Sequence, residues 1–161
     1  MAHLRLALVA LALVGCGQAG AQSSTPSGIA PPSGWQVLPD VARAAADAAK
    51  ADGVTIAGSE AWGDTARGCY AVWLKLAGGG VSAEQVLAGI ASEKIETKDI
   101  VKPTGEDKGI VAFAFDTPSY AGRMRARIDA GGITALACFA NMRERVACET
   151  ACQGLLAGGL P

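Results

Sequence analysis

Five cysteines fall at positions 16, 69, 138, 148 and 152 of this 161-residue chain, and how they divide limits every fold the chain can take. Cys16 stands apart from the rest. It follows the apolar run Leu6 to Val14, with Arg5 ahead of it as a short positive region. That run is far below the about 20 residues a bilayer span needs. Its length suits the apolar core of an export signal. Export carries the chain to a compartment where disulfides persist. With Cys16 assigned to the leader, an even set of Cys69, Cys138, Cys148 and Cys152 remains, which predicts two disulfides in the domain that follows.

Leu13-Val14-Gly15-Cys16 resembles the lipobox of bacterial lipoproteins. The resemblance implies a signal peptide over residues 1–15, cleavage before Cys16, a diacylglycerol on its thiol and acylation of the new N-terminus. Gly17 stands where an Asp favours inner-membrane retention in Gram-negative lipoproteins. The resemblance therefore implies an outer-membrane anchor facing the periplasm if the cell is Gram-negative. A second cleavage reading uses Ala19-Gly20-Ala21, an A-x-A pattern. Cutting there, before Gln22, would leave a soluble periplasmic or secreted product. The lipobox is favoured because it directly follows the apolar run.

Residues 16–34 then read as the lipid-bearing Cys and a tether. The stretch GQAGAQSSTPSGIAPPSG carries no charge and little apolar bulk, a Gly/Ser/Pro spacer composition. Residues 35–161 are expected to form one globular domain, long enough to bury roughly two-thirds of its unfolded surface. A net charge of −1 and the lack of a basic run argue against nucleic-acid binding. Aromatic residues make up only 5%, so the core must be built mainly from Ala, Val, Leu and Ile.

Punctuation and period give the elements. Asp40 to Gly53 reads as an Ala-rich helix with an N-cap and a C′ glycine. Val54–Trp62 and Cys69–Leu76 read as strands joined by a turn at 63–68. Ser82 and Gln85 form a capping box that opens a helix to Ser92. Ile95–Val101 is a polar edge strand, ending near Pro103, and Ile110–Phe115 a central one. Tyr120–Asp129 alternates, with Arg123, Arg125 and Arg127 on one side and Met124, Ala126 and Ile128 on the other. Ile133–Ala140 is a strand, and Asn141 caps a final helix to Leu156. The fold class is α+β: a mainly antiparallel sheet of about six strands, helices on one face, and a C-terminal helix stapled by disulfides. The order α-β-β-α-β-β-β-β-α resembles, in topology, the Mog1/PsbP-like fold.

The chemical inventory is narrow. His3 is the only histidine and leaves with the leader, which excludes Ser-His-Asp and Cys-His catalytic units and His-ligated metals. No P-loop or G-x-S-x-G motif is present. Gly78-Gly79-Gly80 lacks a lysine partner and reads as a plain connection. No metal and no cofactor is expected. A Cys₄ zinc site is a rival for the cysteines, but only Cys148 and Cys152 form a close pair. Buried free thiols are a further alternative. Cys148 and Cys152 are one helical turn apart with nearly parallel side chains, a poor disulfide geometry. Cys138 lies three residues before Asn141, roughly 10 Å along a strand, and Cys148 seven residues after it, roughly 10 Å along a helix. The two come level if the last helix folds back over the sheet, so pairing Cys138 with Cys148 and Cys69 with Cys152 is favoured. Cys69–Cys138 with Cys148–Cys152 is the runner-up.

Arg123, Arg125 and Arg127 stand about 7 Å apart along one side of a strand. They suit an anionic lipid, a cell-wall polymer or an acidic envelope protein. The plainer reading is a solvated face with cross-strand partners among Glu96, Asp99 and Asp116. Trp73 reads as core, while Trp35 and Trp62 fall at element ends. Three functions follow: a non-catalytic envelope binding or accessory lipoprotein, an exported inhibitor or immunity-type protein, and a hydrolase or lyase using Glu60, Asp64 or Asp116 with an arginine. The leader itself is directly testable. Globomycin, or Cys16→Ser, is expected to leave unprocessed precursor and abolish fatty-acid labelling. Unchanged processing to Gln22 would show that the A-x-A site is used instead.

Overall fold

The computed structural model describes residues 26–51, 53–78, 82–92, 95–102 and 109–160. The leader, Cys16, Gly79, Gly80 and Pro103 lie outside the described residues. In chain order the elements are β1 (Gln36–Val37), α1 (Pro39–Ala51), β2 (Thr55–Asp64), β3 (Cys69–Ala77), α2 (Ala83–Ser92), β4 (Glu96–Val101), β5 (Ile110–Asp116), β6 (Tyr120–Asp129), β7 (Gly132–Asn141) and α3 (Arg145–Ala157). The strands form one antiparallel sheet in the order β1-β2-β3-β7-β6-β5-β4. The expected α+β class and antiparallel sheet are therefore present. The additional strand is β1, a two-residue piece paired with Trp62 and Gly63, too short to leave a periodic signal.

β7 holds the centre, and every residue from Gly132 to Ala140 is buried. Its two sides feed two separate cores. On the first face Ile133, Ala135, Ala137 and Phe139 join Val72, Leu76, Met124, Ala126, Val111, Phe113 and Phe115. Val41 and Ala42 of α1 and Val86 of α2 cover this face. On the second face Leu136 and Cys138 join Trp62, Ala71 and Trp73 beneath Cys152 and Leu155 of α3. The expectation of helices on one face thus holds for α1 and α2, whereas α3 packs on the opposite face. A strand buried on both sides requires that second cover.

Local sequence explains the joints. In β2 the register skips between Ile56 and Gly58, a β-bulge. The extra residue lets Ile56 and Ala61, at positions of opposite parity, both reach the first face. Pro39 opens α1 in the position where a missing N–H costs least. Gly53 (φ 80) turns the chain out of it, and Val54 N donates to Ala49 O at 3.1 Å. The Ser82–Gln85 capping box forms in both directions: Ser82 N donates to Gln85 Oε1 at 2.8 Å, and Gln85 N to Ser82 Oγ at 3.3 Å. Asn141 does not cap α3. It ends β7 and folds a turn, its Oδ1 accepting from Arg143 N at 3.2 Å, so α3 starts at Arg145.

Both disulfides fasten α3 to the sheet, with a pairing different from the favoured one: Cys69–Cys148 and Cys138–Cys152. Their Cα separations are 5.6 and 5.4 Å. The register supplies the reason. Cys69 lies opposite Ala140, while Cys138 lies two residues deeper in β7, opposite Ala71. α3 runs back along β7, so its first cysteine meets Cys69 at the sheet end and its second meets Cys138. Two strand residues span about 6.7 Å and four helical residues about 6 Å, so the two ladders match.

Two glycines give opposite expectations. A Cβ at Gly122 would lie 2.5 Å from Cys138 O and 2.6 Å from Phe139 Cβ, whereas one at Gly154 meets nothing within 4 Å. Gly122→Ala is expected to destabilise by about 1–3 kcal/mol. Gly154→Ala, inside α3, should stabilise by up to about 1 kcal/mol. Urea midpoints of the two variants check both signs.

Candidate functional site

The arginine stripe lies on the second face, beside α3. Arg125 Nη1 donates to Leu156 O at 3.4 Å, and Arg127 Nη2 donates to Leu160 O. Both guanidiniums thus serve carbonyls at and beyond the C-terminal end of α3, where cations complement the helix dipole. Only Arg123 points away from this task. Its side chain is 47% exposed and faces Asp99 at 4.0 Å, one of the cross-strand partners expected for the stripe. Across β5, Lys98 is held by Asp116 at 2.8 Å and by Glu96 at 3.4 Å. These two carboxylates hold the Lys98 ammonium pKa above its ordinary value, Asp116 contributing most. Ala112 and Ala114 of β5 are part-exposed between these charges, and Val101 at the edge is exposed. α3 lies over β7, β6 and β3. The result is a part-exposed strip, Ala112 and Ala114, flanked by Arg123 and the Lys98–Asp116 pair.

The carboxylates proposed for catalysis are dispersed. Glu60 and Asp64 share a side of β2 four residues apart, about 13 Å. Asp116 is on β5, four strands away in the sheet, about 19 Å. Two of them are held by nearby partners: Asp64 Oδ1 accepts from Arg67 N at 3.1 Å within the β2–β3 turn, and Asp116 holds Lys98. No group of three or more metal-ligating side chains occurs among the described residues.

Glu60 has an unexpected partner. Ser27 N donates to Glu60 Oε1 at 3.0 Å, and the Ser27 hydroxyl donates to Oε2. Ser27 is buried, its Oγ also accepts from Ile29 N at 3.1 Å, and Ile29 packs on the Trp62–Trp73 cluster. Residues 26–34, expected to belong to the tether, are instead a strap across the second face. Trp35 follows the strap and packs against Cys69 and Cys148 as well. Trp73 is core as expected. Trp62, although at the end of an expected strand, is buried beside it. Ser27 and Ile29 gave no periodic signal; an isolated Ile between two prolines and a glycine was the only hint. Trp73 Nε1 has no hydrogen-bond partner among the described residues, and nothing in the structure explains it.

A second grouping escaped the sequence. Register sets Tyr70 opposite Phe139 and Tyr120 opposite Asn141. On the first face the Tyr70 ring stacks on Phe139 at 5.7 Å and meets Tyr120 edge-on at 6.4 Å. Burial, and then the neighbouring Tyr120, raise the Tyr70 phenol pKa above its ordinary value. Tyr70 therefore stays a neutral hydrogen-bonding group at physiological pH.

No family model matches the chain, and no curated protein or solved structure matches it either.

The strap's hold on Glu60 is open to test. Glu60→Ala is expected to cost about 1–3 kcal/mol of stability, the worth of hydrogen bonds to a charged group. It should also speed proteolytic cutting between residues 26 and 35. Arg123→Ala, at an exposed pair, should leave the unfolding midpoint within about 0.5 kcal/mol.

Proposed function

We propose that this chain is a non-catalytic binding or accessory lipoprotein of the cell envelope, anchored through Cys16, whose contact surface is the strip over β4, β5 and β6. The observation that carries the reading is the division of the second face. Two of the three arginines are spent on α3, while Arg123 stays accessible beside part-exposed Ala112 and Ala114. Small side chains let a flat partner approach, and the guanidinium offers bidentate donors to a carboxylate or phosphate. The dispersal of Glu60, Asp64 and Asp116 supports binding over hydrolysis. The disulfides agree with an oxidising compartment, and no helix among the described residues is long and apolar enough to cross a membrane. The lipobox match at Cys16 makes the N-terminal lipid the proposed anchor, with a soluble product if cleavage falls before Gln22.

Crosslinking pull-down from intact cells tests the proposal. Wild type should recover an envelope partner or anionic polymer that Arg123→Glu with Ala114→Glu loses, at unchanged protein level. Recovery equal to that of a Cys16→Ser control, or unaffected by the double substitution, would overturn it.

A further inference from the structure

Each native disulfide passes over another cysteine. Cys69 joins Cys148, 79 residues on, skipping Cys138. Cys138 joins Cys152, 14 residues on, skipping Cys148. On the export route of the proposed function, on which this inference rests, Cys138 follows Cys69 before either α3 cysteine has appeared. Cys69 and Cys138 stand on neighbouring strands, on the same face, offset diagonally by two residues. Diagonal neighbours lie about 7–8 Å apart, just beyond disulfide reach in a finished sheet. A small displacement in a forming sheet closes that gap. Loop closure does not prevent it, because the cost rises only with the logarithm of loop length and the two loops from Cys69 are of similar size. Cys148 and Cys152 would then be left with each other, only four residues apart.

We propose that this chain is a substrate of a thiol–disulfide isomerase, an enzyme presenting a nucleophilic thiolate, and that native pairing is reached by exchange from Cys69–Cys138 and Cys148–Cys152. The exchange needs no net oxidant. The enzyme thiolate attacks Cys138 of the Cys69–Cys138 bond, forming a mixed disulfide and releasing the Cys69 thiolate. Cys69 attacks Cys148, breaking Cys148–Cys152, forming Cys69–Cys148 and releasing the Cys152 thiolate. Cys152 attacks Cys138 in the mixed disulfide, forming Cys138–Cys152 and returning the enzyme thiolate. The end state is a sink. All four native cysteines are buried, Cys152 the least so at 7% exposed, so an external thiolate cannot reach the finished bonds.

The test uses the full chain with Cys16→Ser, unfolded and reduced, so that only the four domain cysteines are present. It is oxidised with excess diamide, which leaves no free thiol, then alkylated, digested without reduction and mapped by mass spectrometry. Cys69–Cys138 and Cys148–Cys152 should dominate. A catalytic amount of a periplasmic-type disulfide isomerase should then convert them to the native pairs at least about tenfold faster than buffer alone. An isomerase lacking its resolving cysteine should be captured on Cys138. Native pairs forming in full yield under diamide, or isomerase giving no acceleration, would overturn the proposal.

Discussion

A central strand buried on both sides obliges a sheet to be covered twice, and β7 imposes that condition here. The first face is covered conventionally, by α1 and α2 over a core of branched and aromatic side chains. The second is harder to cover. Among the described residues α3 is the only helix there, and its apolar contribution is modest: Cys148, Cys152 and Leu155 are its buried residues. The two disulfides, the arginines at its C-terminal end and the strap over Trp62 and Trp73 all answer this shortage. Each ties down cover that burial alone would hold weakly. Disulfides of this kind typically contribute about 2–4 kcal/mol each, comparable with fully burying one or two large apolar side chains.

The double burial also explains why the arginine stripe is less available than it looks. A strand next to the central one has its second side half under α3. Arg125 and Arg127 lie where the helix ends, and four unpaired carbonyls at a helix end are strong acceptors. Arg123 is far enough along β6 to escape them. Charge that reads as a ligand surface along one strand is divided between structure and surface by where a helix two elements away happens to stop.

Much of this was legible in the residues. β6 alternates so cleanly that both its boundaries and its two sides could be read, and the Ser82–Gln85 box announced α2. ITALACFA was recognisable as a strand, but an unbroken apolar run does not say which side takes which helix. The cysteine pairing failed for a related reason. Distances to Asn141 along β7 and α3 bring Cys138 and Cys148 level only while the position of Cys69 is left out. That position depends on the β3–β7 register, a relation between segments far apart in sequence. The Ser27–Glu60 contact leaves no local pattern for the same reason, since it joins segments far apart in sequence. β1 is only two residues long, and pairing rather than propensity defines it.

The strap changes the mechanics of any N-terminal attachment. A free chain from Cys16 to Trp35 would span up to about 65 Å when fully extended. With Ser27 fixed to Glu60, chain length alone limits Cys16 to at most about 40 Å from that point. A domain of this length has a radius of gyration near 14 Å, so its diameter approaches the reach of the shortened leash. If Cys16 carries lipid, the domain is held like a buoy on a short line. It cannot rotate freely, and the side from which Ser27 departs stays turned toward the bilayer. Partners would then be sampled from a thin layer next to the membrane, in a restricted range of orientations.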